Sequence, residues 1–442
     1  MAIKIGFVSL GCNKNLCDTE NMMGIIAEAG YEITSYPEEA EVIVVNTCGF
    51  IESAKQEAID TILEMAQYKE DKCKLLVAAG CLAQRYYEAI RKELPEVDVI
   101  VGTTAFKNIA TAVHEGLSGQ KKSYIEDIDK PECENLPRIR TTPEYTAYLK
   151  IAEGCDNRCT YCAIPYIRGK YRSRRIENIV AEAEALANDG VKEIIVVAQD
   201  TTRYGIDLYG EKKIAELLKK LCKIEKIEWV RIHYCYPEEL DDKLIQTIKN
   251  EPKIVKYLDI PVQHGCDSVL KRMGRKTDRK SIETLVEKLR AEIPDITLRT
   301  SIIAGFPGET EEEFSELCEF LETVRFDRTG VFAFSCEEGT PAAKLKGQLD
   351  EEIKEARRDK AMELCQRISL ERNEKMIGKT LTVMAEGFED NLYYGRSGGE
   401  SIEIDPKIYF GAHRDLAPGD FVTVEIKSAD IYDLYGEERT EE

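Results

Sequence analysis

Three cysteines in the run Gly154-Cys155-Asp156-Asn157-Arg158-Cys159-Thr160-Tyr161-Cys162 stand four and three residues apart, just past a strand-like stretch. Three close thiols with no fourth Cys or His nearby can hold three irons of a four-iron cluster and leave the last iron open to a ligand. A structural zinc site recruits a fourth protein ligand, so a zinc knuckle or chance spacing is the weaker reading. A second set is more dispersed. Cys12, Cys48 and Cys81 each follow a short apolar run, namely Ile3 to Leu10, Val42 to Val45 and Leu75 to Ala79. In an open parallel sheet the carboxyl ends of the strands line one crevice, so thiols far apart in sequence converge there. That spacing predicts a second three-thiolate cluster; the competing reading is three separate buried core cysteines.

The other nine of the fifteen cysteines lack this geometry. Cys73 lies at the opposite end of its strand, Cys133 in a linker, and Cys17, Cys222, Cys318 and Cys365 in helical patterns. Cys235, Cys266 and Cys336 fall near later strand ends and read better as packing residues. Cys17, close to Cys12, is the extra thiol most worth following.

The elements that must position these thiols follow from the pattern. Residues 3 to about 117 alternate apolar runs with helical stretches, the rhythm of an open parallel α/β sheet. Residues 118–143 lose periodicity and gather Pro and charge, as a linker does. Strand and helix then alternate about six times, with strands near 145–152, 193–199, 228–235, 256–262, 296–303 and 329–335. Six βα units predict a partial (βα)6 barrel, whose C-terminal rim is where chemistry is built. Residues 349–376 form a long charged helix, and the remainder alternates as a small antiparallel β-barrel. The expected domains are 1–117, a linker at 118–143, a core at 144–372 and a barrel at 373–442.

Composition narrows the class. At 442 residues the chain should hold two to four domains of roughly 100 to 200 residues. Hydrophobic residues at 43% against 14 Pro exclude wholesale disorder. No apolar run nears the roughly 18 residues of a membrane span, and Met1 to Leu10 is a strand pattern without a cleavage site. The expected location is cytoplasmic, where disulfides are rare and fifteen cysteines point to metal or thiol chemistry. A net charge of -21 opposes general nucleic-acid binding and suits a basic protein partner.

Together these motifs resemble the radical S-adenosylmethionine (SAM) methylthiotransferases over nearly the whole chain. Cys155, Cys159 and Cys162, with Tyr161 before the last, match the family signature. The segments SLGCNKNLCDTE and VVNTCGFIESAKQEAI are most similar to the branch acting on small-subunit ribosomal protein S-twelve. The tRNA-modifying branch usually has Gln-Met-Asn and Val-Arg where Asn13-Lys14-Asn15 and Gly49-Phe50-Ile51 stand here. Cys17-Asp18-Thr19-Glu20 replaces the common Val-Asp-Ser-Glu and places a thiol beside the cluster.

The resemblance implies two 4Fe-4S clusters and SAM as cofactors. The cluster on Cys155, Cys159 and Cys162 would bind the amino and carboxylate groups of SAM and cleave it to methionine and a 5'-deoxyadenosyl radical. That on Cys12, Cys48 and Cys81 would deliver a sulfur methylated by a second SAM. An unactivated C–H bond has no acidic proton for a general base, so a cofactor radical must carry the hard step. Beyond the cluster ligands no catalytic residue is assigned.

Rim residues expected to line SAM are Tyr161, Gln199, Gln263, Ser301 and Gly305, within the segments 199–201, 259–264 and 301–309. There Gly305 and Gly308 would let backbone approach the adenosine, and the glutamines would bond its polar groups. The basic run from Arg168 to Arg175 can hold a carboxylate or rRNA, though for most of it a solvated loop is the preferred reading. His233 and His264 read as structural.

Charge chooses the acceptor. The C-terminal segment resembles a TRAM domain, which binds RNA in tRNA-modifying relatives. Here residues 376–442 carry six basic residues against fifteen acidic ones, which opposes phosphate binding. The expected activity is therefore methylthiolation of the β-carbon of an aspartate in ribosomal protein S-twelve, free or in the ribosome. A flavodoxin- or ferredoxin-type electron donor is expected, with no membrane partner and tRNA disfavoured. The alternatives are a tRNA adenosine methylthiotransferase and, in another class, a non-enzymatic iron-sulfur redox or scaffold protein.

Overall fold

The computed structural model describes residues 2–131 and 134–439. Met1 of the first strand pattern, the linker's Cys133, and Glu441 and Glu442 of the acidic tail lie outside the described residues.

The N-terminal sheet has six parallel strands: β1 (Lys4–Ser9), β2 (Glu32–Thr34), β3 (Val42–Thr47), β4 (Leu75–Ala79), β5 (Val99–Val101) and β6 (Ser123–Tyr124). Their order is β2-β1-β3-β4-β5-β6. β3 and β4 are buried along their whole length because helices cover both faces. Val42, Val44, Leu75 and Val77 pack on one side and Ile43, Val45, Leu76 and Ala78 on the other, hence the unbroken apolar runs. β2 and β6 escape sequence reading, since two or three residues carry no periodicity. β6 falls inside the expected linker and makes the edge of the sheet.

The core adds β7 (Thr146–Lys150), β8 (Ala152–Glu153), β9 (Arg172–Ser173), β10 (Glu193–Val197), β11 (Trp229–Ile232), β12 (Ile254–Asp259), β13 (Thr297–Ala304) and β14 (Arg328–Ala333). Six of these form an open parallel sheet in the order β14-β13-β12-β11-β10-β7, the partial barrel expected. β8 and β9 form a separate antiparallel pair that pins both ends of the cysteine loop. Ala147, Leu149, Ile194, Val196, Val230 and Ile232 pack under the helices. The alternate set, including Tyr148, Glu193, Arg231, His233, Tyr257 and Arg299, faces the C-terminal domain.

That domain follows the helix Glu351–Glu374 and closes a barrel from β15 (Thr380–Glu389), β16 (Leu392–Ser397), β17 (Ile408–Gly411), β18 (Phe421–Ala429) and β19 (Leu434–Glu438). Its pairings are antiparallel except β17 with β19, because the chain crosses through β18 between them. The segment 397–405 enters the concave side of the six-stranded sheet. Ser401 Oγ is 2.8 Å from His233 Nε2, and Tyr257 donates to Asp405 at 2.7 Å. His233 is thus structural, as read; burial holds its imidazole well below the usual range. His264 faces the Glu309 carboxylate at 3.3 Å.

Glu193 locks this junction, bonded to Arg231 at 2.8 Å and Arg396 at 2.7 Å with all three side chains buried. Burial disfavours the carboxylate, but the two guanidiniums outweigh it and hold Glu193 at about 2. A depressed carboxylate contributes stability that is present above its unfolded value of about 4.3 and is lost as pH falls through the folded one. Trp229, the single tryptophan, stands edge-on to Phe421 of the barrel, with centroids 4.9 Å apart, and reports docking. Glu193→Gln should red-shift its emission at neutral pH and cost about 3 to 5 kcal/mol of stability. The unaltered chain should show that shift only between about pH 4 and 2. An emission maximum that moves in neither experiment would remove Glu193 as the lock.

Candidate active site

β1, β3 and β4 are neighbours in the sheet, and each ends in a thiol. Cys12 caps the helix Asn13–Glu28, Cys48 follows β3 directly, and Cys81 opens the helix Gly80–Arg85 after β4. Gly11 has φ of 86° and touches the Cys48 loop so closely that an added Cβ would lie 2.7 Å from Cys48 Cβ and 2.9 Å from its sulfur. The left-handed backbone and the close approach both demand glycine. Three cysteines from widely spaced segments therefore share one crevice.

In the core, Cys155 and Cys159 are buried and Cys162 half-buried. Cys155 N–H donates to Gly169 O at 3.1 Å and Thr160 N–H to Met273 O at 2.9 Å, which fixes the loop against its own return and the later helix. Burial pushes the Cys81 and Cys155 thiols up to about 12 and raises Cys48 and Cys162 as well. Within each set the like charge of a neighbouring cysteine raises them further. All six sulfurs are free, and a bound metal would displace the protons that burial otherwise keeps on Cys48, Cys81, Cys155 and Cys162, so three thiols in each set fit the donor chemistry of iron. Among the described residues no three ligating side chains close around a single ion. A cluster asks for a wider set, because each thiolate holds a different iron.

The two sets meet through the segment that follows Cys162. Cys81 packs against Ala163 and Ile167. Arg168, only 2% exposed, donates to Cys81 Sγ at 3.3 and 3.4 Å, to Asp18 at 2.5 Å, to Glu153 at 2.8 Å and to Asn15 at 3.0 Å. Lys150 bonds the same two carboxylates at 2.6 and 3.0 Å. Burial opposes the Glu153 charge, but Arg168 and Lys150 hold it well below the usual carboxylate range. Sequence reasoning missed this joint: Arg168 and Arg174 are buried in ion pairs rather than solvated, whereas Lys170 and Arg175 are exposed. Partners more than a hundred residues away, such as Asp18, leave no local signal.

The expected SAM-lining residues fall on the rim. Gln199, Gln263, Ser301 and Tyr161 are half-buried. Gln199 donates to Glu153, while its Oε1 is buried with no partner among the described residues, an acceptor left for a ligand. Gln263, with φ of 74°, lies beside Ser301, whose carbonyl accepts its N–H at 2.9 Å. Tyr161 packs near Phe306 and Phe334. Gly305 departs from the expectation: it is buried, its N–H already donates to the Glu309 carboxylate at 3.1 Å and Lys354 covers its α-carbon, so its backbone is closed to an approaching adenosine. Arg275 was not foreseen; its guanidinium lies over Tyr236 at 4.4 Å and reaches Cys159 Sγ at 3.9 Å. Cys17 corrects an expectation, since it packs with Tyr148, Ile195, Val197 and Ile402 rather than beside the cluster cysteines. It occupies the inward face of its helix, and burial pushes its thiol up to about 12.

Three families match consecutive parts of the chain: residues 4–102 the Uncharacterized protein family UPF0004, residues 149–321 the Radical SAM superfamily, and residues 377–438 the TRAM domain. The chain is 51% identical to the ribosomal protein uS12 methylthiotransferase RimO of Acetivibrio thermocellus, over 99% of this chain and 98% of that protein. It is 52% identical to that of Lachnoclostridium phytofermentans over 98% and 99%. Among solved structures it resembles the radical S-adenosylmethionine methyltransferase TsrM from Kitasatospora setae, with a TM-score of 0.54 and 14% identity over 88% of this chain and 82% of that one. That likeness concerns the fold alone.

Proposed function

The chain belongs to the family of ribosomal protein uS12 methylthiotransferases, and we propose that its six clustered cysteines divide that reaction between two iron-sulfur clusters in one cleft. It is a radical SAM transferase that methylthiolates uS12. The finer reading is that Cys155, Cys159 and Cys162 hold the 4Fe-4S cluster that engages SAM. Cys12, Cys48 and Cys81 hold the auxiliary 4Fe-4S cluster, and the acceptor is the β-carbon of an aspartate.

The observation that carries it is the contact of Cys81 with Ala163 and Arg168, which brings the two thiol sets onto one joint. When bound, SAM and the clusters supply a radical for hydrogen abstraction and a sulfur donor. The chain's own groups position the reactants. Gln199 and Gln263 lie near the strand ends, where the orphaned Gln199 Oε1 would accept a hydrogen bond from bound SAM. Tyr161, backed by the buried Phe306, offers the site an apolar wall. The β8–β9 clamp fixes the cysteine loop so that both clusters keep one geometry.

tRNA is disfavoured as acceptor on charge. Among the described residues of the C-terminal segment Arg396 is buried on Glu193 and Glu386, and the Glu400 and Asp405 side chains are buried as well, leaving five basic residues against ten acids. Such a surface suits a basic ribosomal protein. No helix among the described residues is long and apolar enough to cross a membrane; the cytoplasmic location proposed rests on the ribosomal protein acceptor of the family. The electron donor proposed is of flavodoxin or ferredoxin type.

The test is mass spectrometry after anaerobic reaction of the reconstituted protein with SAM, reductant, uS12 and tRNA together. A methylthio group on a uS12 aspartate is the expected product. Modified adenosine would overturn the acceptor assignment, and neither product, with no 5'-deoxyadenosine, would favour a scaffold role.

A further inference from the structure

Lys14 sits in the first turn of the helix Asn13–Glu28, two residues after Cys12. Its side chain leaves the N-terminal sheet and lays the ammonium over the ring of Tyr234, 3.4 Å from the centroid, just past the end of β11. Lys14 is only 7% exposed. Among the described residues no carboxylate stands within ion-pair distance of it.

The nearest candidates are engaged elsewhere: Glu153 by Lys150, Arg168 and Gln199, and Asp18 by Lys150 and Arg168. Burial and the first turn of a helix, with its positive dipole end, both disfavour a cation here, and Tyr234, the neighbouring Cys12 sulfur and the more distant Glu153 carboxylate offset them.

Around this ammonium the site is built to receive something. Cys12 and Gly11 are exposed, and Tyr234 is half-buried. Tyr234 holds a left-handed φ of 60°, fixed by Thr201 N–H donating to its carbonyl at 3.1 Å. The cation therefore lies where the auxiliary cysteines meet the rim of the core, the cleft in which acceptor and sulfur donor must come together.

We propose that Lys14 is a specificity-determining residue that receives the side-chain carboxylate of the acceptor aspartate. The proposal rests on the reading of an aspartate acceptor in uS12. An ammonium–carboxylate pair with the ammonium buried is a strong, charge-assisted contact. Holding the carboxylate fixes the β-carbon one bond away, which orients the reacting hydrogen without any contact to the carbon itself. A neutral acceptor of the same shape forgoes that charge-assisted contact and binds more weakly for that reason.

The experiment measures the dissociation constant of uS12 from the anaerobically reconstituted protein, with aspartate or asparagine at the acceptor position. The unaltered chain should bind the aspartate form about tenfold to a hundredfold more tightly. In Lys14→Met that preference should vanish while the asparagine form binds as before and iron content stays the same. Lys14→Gln should behave likewise and serves if the methionine variant does not fold. Equal binding of both forms by the unaltered chain would overturn the proposal, as would a Lys14→Met variant that keeps the preference. So would equal weakening of both forms or loss of iron, which would assign Lys14 to the clusters. If the unaltered chain leaves uS12 without a methylthio group, the acceptor reading itself has failed, and that outcome is read without any variant.

Discussion

Cys159→Ser is expected to abolish formation of 5'-deoxyadenosine from SAM, whereas Cys48→Ser should leave that cleavage in place and stop only sulfur insertion. Each variant removes one thiolate from a three-thiolate set, and a serine hydroxyl does not replace it as a soft ligand to iron. Each should therefore hold about four irons per chain in place of about eight. The split follows from the connectivity of the fold. Cys159 lies in the loop pinned by β8 and β9, with Tyr236 Oη 3.9 Å and Arg275 3.9 Å from its sulfur. Cys48 lies on the other sheet, against Gly11. Because the loops belong to separate domains, losing one cluster should leave the other loaded. Iron analysis, product chromatography and mass spectrometry of uS12 distinguish the outcomes. Methylthio product from Cys48→Ser would remove the auxiliary set from sulfur delivery, and retained cleavage in Cys159→Ser would remove the core set from SAM chemistry.

How far the sequence reaches is clear from the same residues. The apolar runs at 42–45 and 75–79 announce buried parallel strands, so the positions of Cys48 and Cys81 at their carboxyl ends follow from order and spacing. The loop Cys155 to Cys162 is equally local. β6 and the β8–β9 clamp stay hidden because two residues per strand show no alternation. Arg168 shows the deeper limit. In sequence it opens a basic run that reads as solvated, and only the approach of Asp18, Glu153 and Cys81 from other elements reveals its burial. Lys14 is the converse case: its motif is visible, but that its ammonium crosses to the core and lies over Tyr234 is a property of the packed chain.

Arg168→Met should produce the largest loss of stability among single changes at the joint. The guanidinium reaches four acceptors on three elements: Asp18 and Asn15 on the helix after Cys12, Glu153 at the clamp, and Cys81. Methionine fills comparable volume but leaves two buried carboxylates with Lys150 as their one cation among the described residues, and breaking such a network costs about 3 to 5 kcal/mol. Denaturant unfolding followed by circular dichroism should register that loss. Arg168→Lys should recover little, because one ammonium does not reproduce the planar fork that serves sulfur and carboxylates together. A second readout separates this role from plain packing. The Arg168 hydrogen bonds to Cys81 favour the more negative, reduced form of a cluster bound there. In a background lacking Cys155, Cys159 and Cys162, Arg168→Met should shift the reduction potential of the remaining cluster downward. A potential unchanged by the substitution, or full recovery of stability with lysine, would reduce Arg168 to one more buried ion pair.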